Sequence, residues 1–472
     1  MIFHSFDYII FFLLVFLLYW NSNHRFQNII LLVSSYIFYS YIHPWFFGLI
    51  FFQTFISFQA AKIIPRTKNY SWLIAFLAIS SNLIVLGYFK YYNFFVENII
   101  SIFNLLNINS SFTTLEILLP VGISFYTFQN IGYIVDVYRK KIDPCYVATN
   151  YFVFVSFFPQ LVAGPIERAQ NLLPQIENKR KFSRKTFVDG FLLIIWGFFK
   201  KLVIADNVAL ICNKTYLLSE PDPFLMIVGT LAFCVQIYAD FSAYTDIARG
   251  TAKMLGFHLI KNFNNPYFSR NASDFWRRWH MSLSQWIRDY IYIPLGGSRC
   301  SVPRWVFNIS FTFLLIGLWH GATWNFIIWG LYYAILTIIY KVWEKLVPTY
   351  IYNLRYNWIL SIPIMFIFTS FGWMIFRETN LNYLIKYLSM NFTLSDTTNF
   401  FISIYLMINL LIYSLPIIIT STYTFINENK KKNKYYNVKI IESVKIFNAV
   451  FLYLLILIFH SSSSIDFIYF QF

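Results

Sequence analysis

The stretch IGLWHGATWNF at 316–326 places a histidine, His320, inside an apolar run that extends from about Val306 to Ile339. That run is long enough to cross a bilayer, or to form two helices joined by a turn. Ionisable side chains at membrane depth cost free energy and normally face a bundle interior or a water-filled cavity. The pattern therefore favours a functional role, and a catalyst buried in the membrane is the first hypothesis. The alternative is a packed histidine that donates one hydrogen bond to a carbonyl.

The composition is that of a polytopic membrane protein. The 472 residues are 58% hydrophobic and 12% charged, whereas a soluble chain has about 25% charged residues. We predict an all-α fold with about eleven or more transmembrane helices and additional re-entrant or interfacial helices, because roughly twelve apolar segments approach the length of a span. These segments are 8–20, 27–42, 44–61, 72–95, 117–137, 150–163, 187–204, 224–245, 306–339 (as two helices), 358–376, 401–420 and 446–460.

The net charge of +16 comes from Lys and Arg clusters that lie between the apolar segments. This is the distribution typical of cytoplasmic loops, and it argues against nucleic-acid binding. The best candidates for cytoplasmic loops are 62–68, 139–141, 179–185 and 430–434. If the second and third clusters share one side of the membrane, the segment 150–163 cannot cross, and we expect it to be re-entrant.

One domain spanning 1–472 is the predicted organisation, because no repeat and no linker divides the chain. The N-terminus has no basic region or cleavage site, so the first apolar run is expected to be retained. No metal site and no disulfide framework is expected, since the cysteines are widely spaced and form no C-x-x-C pair. They are Cys145, Cys212, Cys234 and Cys300.

The least apolar internal stretch, 261–304, carries most of the unusual polar residues. On one helix, four aromatic residues of this stretch would form a stripe, with Ser273 as the N-cap. They are Phe275, Trp279, Trp286 and Tyr290. An interfacial or re-entrant helix and an ordinary cytoplasmic amphipathic helix fit this pattern equally well. On the same helix His280 would orient a substrate or bond a neighbouring backbone group.

Two further segments combine polar and apolar residues. In QIYADFSAYTD at 236–246, two carboxylates enter an apolar segment. They either line a polar path or bond between helices, and the second role is favoured. The C-terminal stretch SSSSIDFIYFQF at 461–472 ends in a mostly apolar hexapeptide, which is expected to dock on the protein rather than remain a disordered tail. The alternative is a frayed end packed on the bundle. A basic stretch before a single final span predicts an extracytoplasmic C-terminus.

The motifs DFWRRWHMSLS at 274–284 and WHG at 319–321 together resemble the membrane-bound O-acyltransferase family. The segments 119–125, 157–166 and 293–297 are also similar, especially to its bacterial branch of alginate and peptidoglycan O-acetyltransferase membrane subunits. The resemblance implies a ring of helices around a central tunnel. It further implies that His320 is the catalytic histidine, that His280 is a second active-site histidine, and that Tyr469 in the C-terminal hexapeptide carries the acyl group.

The function implied by the resemblance is transmembrane O-acetylation in the cytoplasmic membrane. A cytoplasmic thioester, with acetyl-CoA the expected donor and no bound cofactor, would supply acetyl for an extracytoplasmic polysaccharide. A periplasmic esterase-like transferase would be the partner. The abundance of Phe, Ile, Asn, Lys and Tyr suggests an AT-rich genome and mildly favours peptidoglycan over alginate. Rival hypotheses are a transporter of polysaccharide or lipid-linked sugar, and a scaffold for cell-envelope enzymes.

Overall fold

A computed structural model describes residues 1–109, 111–218, 222–346, 357–389, 397–429, 438–461 and 467–468. These residues form α-helices with short 3₁₀ and π segments, and no β-strand occurs among them. The predicted all-α class is confirmed.

The first half of the chain forms eleven of the helices described. α1 to α6 are Phe6–Trp20, His24–Ser40, Phe46–Ile63, Ser71–Leu86, Tyr92–Leu105 and Ile123–Tyr138. α7 to α11 are Ala148–Ser156, Phe158–Leu161, Ala169–Glu177, Arg184–Phe199 and Asp206–Tyr216. The π-helical segment Lys200–Ala205 joins α10 to α11.

The second half begins with a helix of 32 residues. α12 to α16 are Pro223–Met254, Ala272–Arg278, Met281–Ile287, Val302–His320 and Trp324–Leu346. α17 to α20 are Asn357–Arg377, Leu381–Leu388, Thr397–Asn429 and Val438–Phe459.

Seven helical segments among the described residues are long and apolar enough to cross a membrane. They are Phe46–Arg66, Ser71–Leu105, Pro223–Met254, Val302–His320, Trp324–Leu346, Trp358–Arg377 and Thr397–Asn427. The predicted count of about eleven is not confirmed. One reason is length: the apolar segment 117–137 yields α6, whose 16 residues span about 24 Å, less than a hydrocarbon core of about 30 Å.

The described chain divides into two compact units, and the single domain over 1–472 stays a prediction. The first unit comprises 1–194 and 247–260. In it α6 is buried along nearly its whole length, and its polar side chains bond to neighbouring helices. The Tyr151 hydroxyl donates to the Asn130 side chain at 2.7 Å. α7 and α8 have nine and four residues, which is too short to cross, in agreement with the expectation for 150–163.

The second unit comprises 195–246 and 261–472. Within it the apolar run 306–339 forms two helices, as its length suggested, because α15 ends at His320 and α16 begins at Trp324. A Cβ added to Gly317 would collide with the backbone oxygen of Phe326, and one added to Gly330 with that of Phe313. Small residues at this crossing therefore let the two helices approach closely.

The expectation of one continuous helix across 274–290 is wrong. The chain forms two seven-residue helices, α13 and α14, which are interrupted at Trp279 and His280. His280 adopts φ 40° and ψ 54°, a left-handed conformation that ends a regular helix. The N-cap of α13 is Asn271, whose side chain accepts from the amide of Asp274, and not the predicted Ser273.

Candidate active site

His320 is the last residue of α15 and is 3% exposed. Three aromatic rings surround its imidazole: the centroids of Trp319 and Trp329 lie 5.0 Å away, and that of Phe376 lies 5.3 Å away. The helix stops here because the following Gly321 is extended, and a Cβ at that position would overlap the ring of Phe326. The histidine therefore lies at a break between two candidate spans, enclosed by protein.

His280 lies at the break between α13 and α14 and is fully buried. Its ring centroid is 4.8 Å from that of Phe241 on α12 and 5.7 Å from that of Trp319. Burial lowers the pKa of the His280 imidazole well below its ordinary value, because the charged form loses hydration. His280 is therefore neutral at physiological pH. The structure brings both predicted histidines against one indole, that of Trp319.

Asn262 holds the chain in the left-handed turn at His280. Its backbone carbonyl accepts a hydrogen bond from the backbone amide of Met281 at 2.8 Å. Its side-chain oxygen accepts one from the Ser282 hydroxyl at 2.6 Å. The side-chain NH₂ donates to Thr245 on α12 at 3.4 Å. Sequence reasoning missed this role, although the polar run that begins at Lys261 was the available signal.

A wall of aromatic side chains encloses the two histidines in the second unit. The Trp279 and Trp373 ring centroids are 4.6 Å apart, and the Phe275 and Tyr333 rings stack at 5.7 Å. The Trp329 ring contacts both Trp373 and His320. Such packing keeps water out and fixes the positions of the imidazoles, which is the condition under which hydrogen bonding and proton transfer are most effective.

Charged residues from three segments meet beside this wall. The ammonium group of Lys201 lies 2.8 Å from the carboxylate of Asp206 and 3.1 Å from that of Asp240. Lys200 pairs with Asp246 at 2.7 Å. The carboxylates of 236–246 thus bond between segments, as favoured from the sequence. Their lysine partners were not predicted, although two consecutive lysines at the end of an apolar segment were a signal for them.

The C-terminal tail docks against this cluster through its two described residues. Phe467 and Ile468 are 0% and 1% exposed. The Phe467 ring lies 4.0 Å from that of Tyr244 and 5.9 Å from that of Phe241. The expectation that the tail docks on the protein is confirmed for these residues. Tyr469, the predicted acyl carrier, lies outside the described residues.

A cavity of about 560 Å³ lies in the second unit; its lining includes Met281, which follows His280, but neither histidine itself. The side chains that line it include Trp276, Phe313 and Ile316. Trp276 also contacts Trp329, the neighbour of His320. Among the described residues that line the cavity, four are cations: Arg277, Arg288, Lys341 and Lys345. Arg288 pairs with the adjacent Asp289, and Lys341 pairs with Glu344. The cavity therefore combines an apolar surface with positive charge, and it suits an anion that carries an apolar or uncharged arm.

The comparison with known proteins gives a consistent result. Residues 144–385 match the model of the membrane-bound O-acyltransferase family. The chain is 39% identical to the probable alginate O-acetylase AlgI of Azotobacter vinelandii, over 84% of this chain and 79% of that protein. It is 34% identical to the peptidoglycan O-acetyltransferase of Helicobacter pylori, over 78% and 74%. It is 31% identical to the teichoic acid D-alanyltransferase of Bacillus subtilis, over 54% and 68%.

These matches cover most of the chain, including the break at His280 and the end of α15 at His320. They name acyl-transferring enzymes, and they decide against the transporter and scaffold hypotheses. The chain is a membrane enzyme of acyl transfer and belongs to the membrane-bound O-acyltransferase family.

Proposed function

We propose that the protein is a transmembrane O-acetyltransferase that modifies a polysaccharide of the cell envelope. The observation that carries this proposal is the position of the C-terminal tail: Phe467 contacts Phe241, and Phe241 contacts His280. A tail anchored beside the histidines can present a side chain to them. The family relationship indicates the reaction class, which is acyl transfer. The names of the O-acetylating relatives suggest that the transferred group is acetyl.

The acceptor is proposed as a polysaccharide, either peptidoglycan or alginate. Relatives named for each of these substrates match this chain over comparable lengths. The residue composition mildly favours peptidoglycan, whereas the higher identity is to the alginate enzyme. The two acceptors are supported equally.

The donor is proposed as acetyl-CoA, which would bind in the cavity of the second unit. Its phosphates would meet the cations that line the cavity, among them Arg277 and Lys345, and its uncharged arm would lie along Trp276 and Phe313. Anionic phosphates would pair with Arg277 and Lys345, since the other two lining cations already form ion pairs with Asp289 and Glu344. Trp276 in the cavity lining packs against Trp329, and Trp329 packs against His320, so two aromatic rings connect the cavity lining to the proposed base.

The proposed chemistry has two steps. His320 accepts the phenol proton of Tyr469, the phenolate oxygen attacks the thioester carbonyl, and the thiol leaves with the proton returned by His320. A hydroxyl group then attacks the resulting aryl ester and releases the phenol. A phenol with a pKa near 10 is almost as good a leaving group as a thiol with a pKa near 8.5. The acetyl group therefore remains activated while it is attached to the tail.

His280 has a positioning role in this proposal. Because it is neutral and buried, one ring nitrogen can donate and the other can accept. It would orient the thioester or the phenol rather than transfer a net charge. The enzyme would lie in the cytoplasmic membrane with its C-terminus extracytoplasmic, where a periplasmic esterase-like partner would take the acetyl group.

The experiment is to replace His320 by alanine in the producing cell and to measure ester-linked acetate on the envelope polysaccharide. We expect acetate to fall at least 100-fold while the variant remains in the membrane, because the substitution removes the proposed base. Normal acetate at a normal protein level would exclude His320 from the mechanism. Fractionation of the acetate between peptidoglycan and exopolysaccharide identifies the acceptor.

A further inference from the structure

The buried carboxylate of Asp240 binds the backbone of the C-terminal tail. The amide N–H of Ile468 donates to Oδ2 of Asp240 at 2.7 Å, and Lys201 lies 3.1 Å from Oδ1. Asp240 is 1% exposed and lies in the middle of α12. One carboxylate therefore joins the helix bundle to a segment 228 residues away in the sequence.

The charges around Asp240 favour this contact. Lys201 is shared between Asp240 and Asp206, so this group of three contains one more carboxylate than ammonium. A buried carboxylate requires a hydrogen-bond donor at each of its two oxygens. An oxygen without a donor would lose its hydration without replacement, which costs free energy. The Ile468 amide supplies that donor to Asp240. The arrangement is thus completed by the tail itself.

An aromatic slot sets the register of the same segment. The Phe467 ring lies 4.0 Å from that of Tyr244, one helical turn beyond Asp240 on α12, and 5.9 Å from that of Phe241. The Lys201 ammonium lies 5.7 Å from the Tyr244 ring. A backbone bond alone would accept any residue except proline at position 468. Together, the slot for Phe467 and the backbone bond of Ile468 fix the register in which the tail binds.

We infer that Asp240 is a positioning residue that anchors the C-terminal tail at Ile468. Tyr469 follows Ile468 directly in the sequence, so an anchor at Ile468 would restrict the reach of the proposed acyl carrier. The catalytic consequence rests on the proposed function, whereas the anchoring itself rests on the observed contacts. The anchor also gives a reason for the carboxylate of Asp240 within the apolar segment 236–246.

The test uses the full-length protein in lipid nanodiscs and measures amide hydrogen exchange of the C-terminal peptide by mass spectrometry. The variant is Asp240→Asn. Lys201 would attract the single oxygen of the new amide, which would turn its NH₂ group towards the Ile468 N–H. We expect exchange at Ile468 to become at least 10-fold faster. Asp246→Asn is the matched control on the same helix, since Asp246 pairs with Lys200. Exchange at Ile468 in this variant should stay within about two-fold of the wild-type rate.

A second pair of variants acts from the tail, so that a folding defect in the bundle cannot explain the result. Ile468→Pro removes the donor N–H and should expose the tail to carboxypeptidase, whereas Ile468→Val keeps the N–H and should leave it protected. A tail that stays protected in both Asp240→Asn and Ile468→Pro would overturn the anchor.

Kinetics separate the anchor from the proposed function. For Asp240→Asn we expect kcat for acetyl transfer to fall at least 10-fold with the KM for acetyl-CoA unchanged, because the donor cavity is not altered. If the tail is released and kcat is normal, the result supports Asp240 as the anchor and contradicts the proposed role of Tyr469. A protected tail with reduced kcat would contradict the anchor instead.

Discussion

The imidazole of His280 and the indole of Trp319 lie edge to face, with ring centroids 5.7 Å apart. Trp319 directly precedes His320, and its ring is 5.0 Å from that imidazole as well. One indole is therefore packed against both histidines, although 40 residues separate them in the sequence. The two sequence motifs that suggested the family meet at this ring.

The first prediction concerns the neutral state of His280. Because burial lowers its pKa well below the ordinary value, it should act through hydrogen bonds, and asparagine should replace it better than alanine. We expect His280→Asn to retain about 10% of kcat and His280→Ala less than 1%. The measurement is acetyl transfer by purified protein, with the melting temperature as a control for folding. Equal loss in two well-folded variants would assign proton transfer to His280.

The second prediction concerns the donor cavity. Arg277→Ala and Lys345→Ala should each raise the KM for acetyl-CoA about 5- to 10-fold with a smaller change in kcat, because each removes a cation from the cavity and leaves the histidines in place. Arg299→Ala is the control, since Arg299 is exposed in the same region and does not line the cavity. A KM that is unchanged in both cavity variants would place the donor elsewhere.

The third prediction concerns Glu167 in the first unit. Its carboxyl accepts from the amide of Ile260 and from Asn171, each at 2.6 Å, and burial raises its pKa to about 7. A pKa raised above the unfolded value of 4.5 gives a stabilising contribution that is complete below pH 4.5 and is lost as the pH rises through 7.

We therefore expect this group alone to lower the free energy of unfolding by about 3 kcal/mol between pH 5 and pH 8. Glu167→Gln should flatten the pH dependence, whereas Glu177→Gln, at an exposed carboxylate, should not. The measurement is the melting temperature of the purified protein over this pH range. An identical pH profile in Glu167→Gln and wild type would remove Glu167 as its source.

Local sequence rules predicted the helical class and the two helices of 306–339. They failed at 274–290, where aromatic spacing predicted one helix. The break there depends on Asn262, which bonds Met281 and Ser282 from outside the segment. Periodicity within a segment contains no information about such a partner.

The ion-pair and hydrogen-bond partners of the buried polar residues could not be predicted from the sequence either. The sequence indicated that Asp240 enters an apolar segment, but its contacts, Lys201 and Ile468, are distant in the chain and are brought close only by the fold. The tail showed the opposite case. Its apolar composition predicted the burial of Phe467 and Ile468, because exposing apolar side chains to water costs free energy.

The central claim is that Tyr469 carries the acetyl group between the donor and the periplasmic partner. The most direct measurement incubates purified protein with labelled acetyl-CoA without an acceptor, and then analyses the C-terminal peptide by mass spectrometry. We predict a base-labile acetyl group on Tyr469 that disappears in Tyr469→Phe and in His320→Ala, with the melting temperature of Tyr469→Phe unchanged. Full acetylation of the cell-envelope polysaccharide by Tyr469→Phe, with no acetyl on the wild-type peptide, would contradict the account.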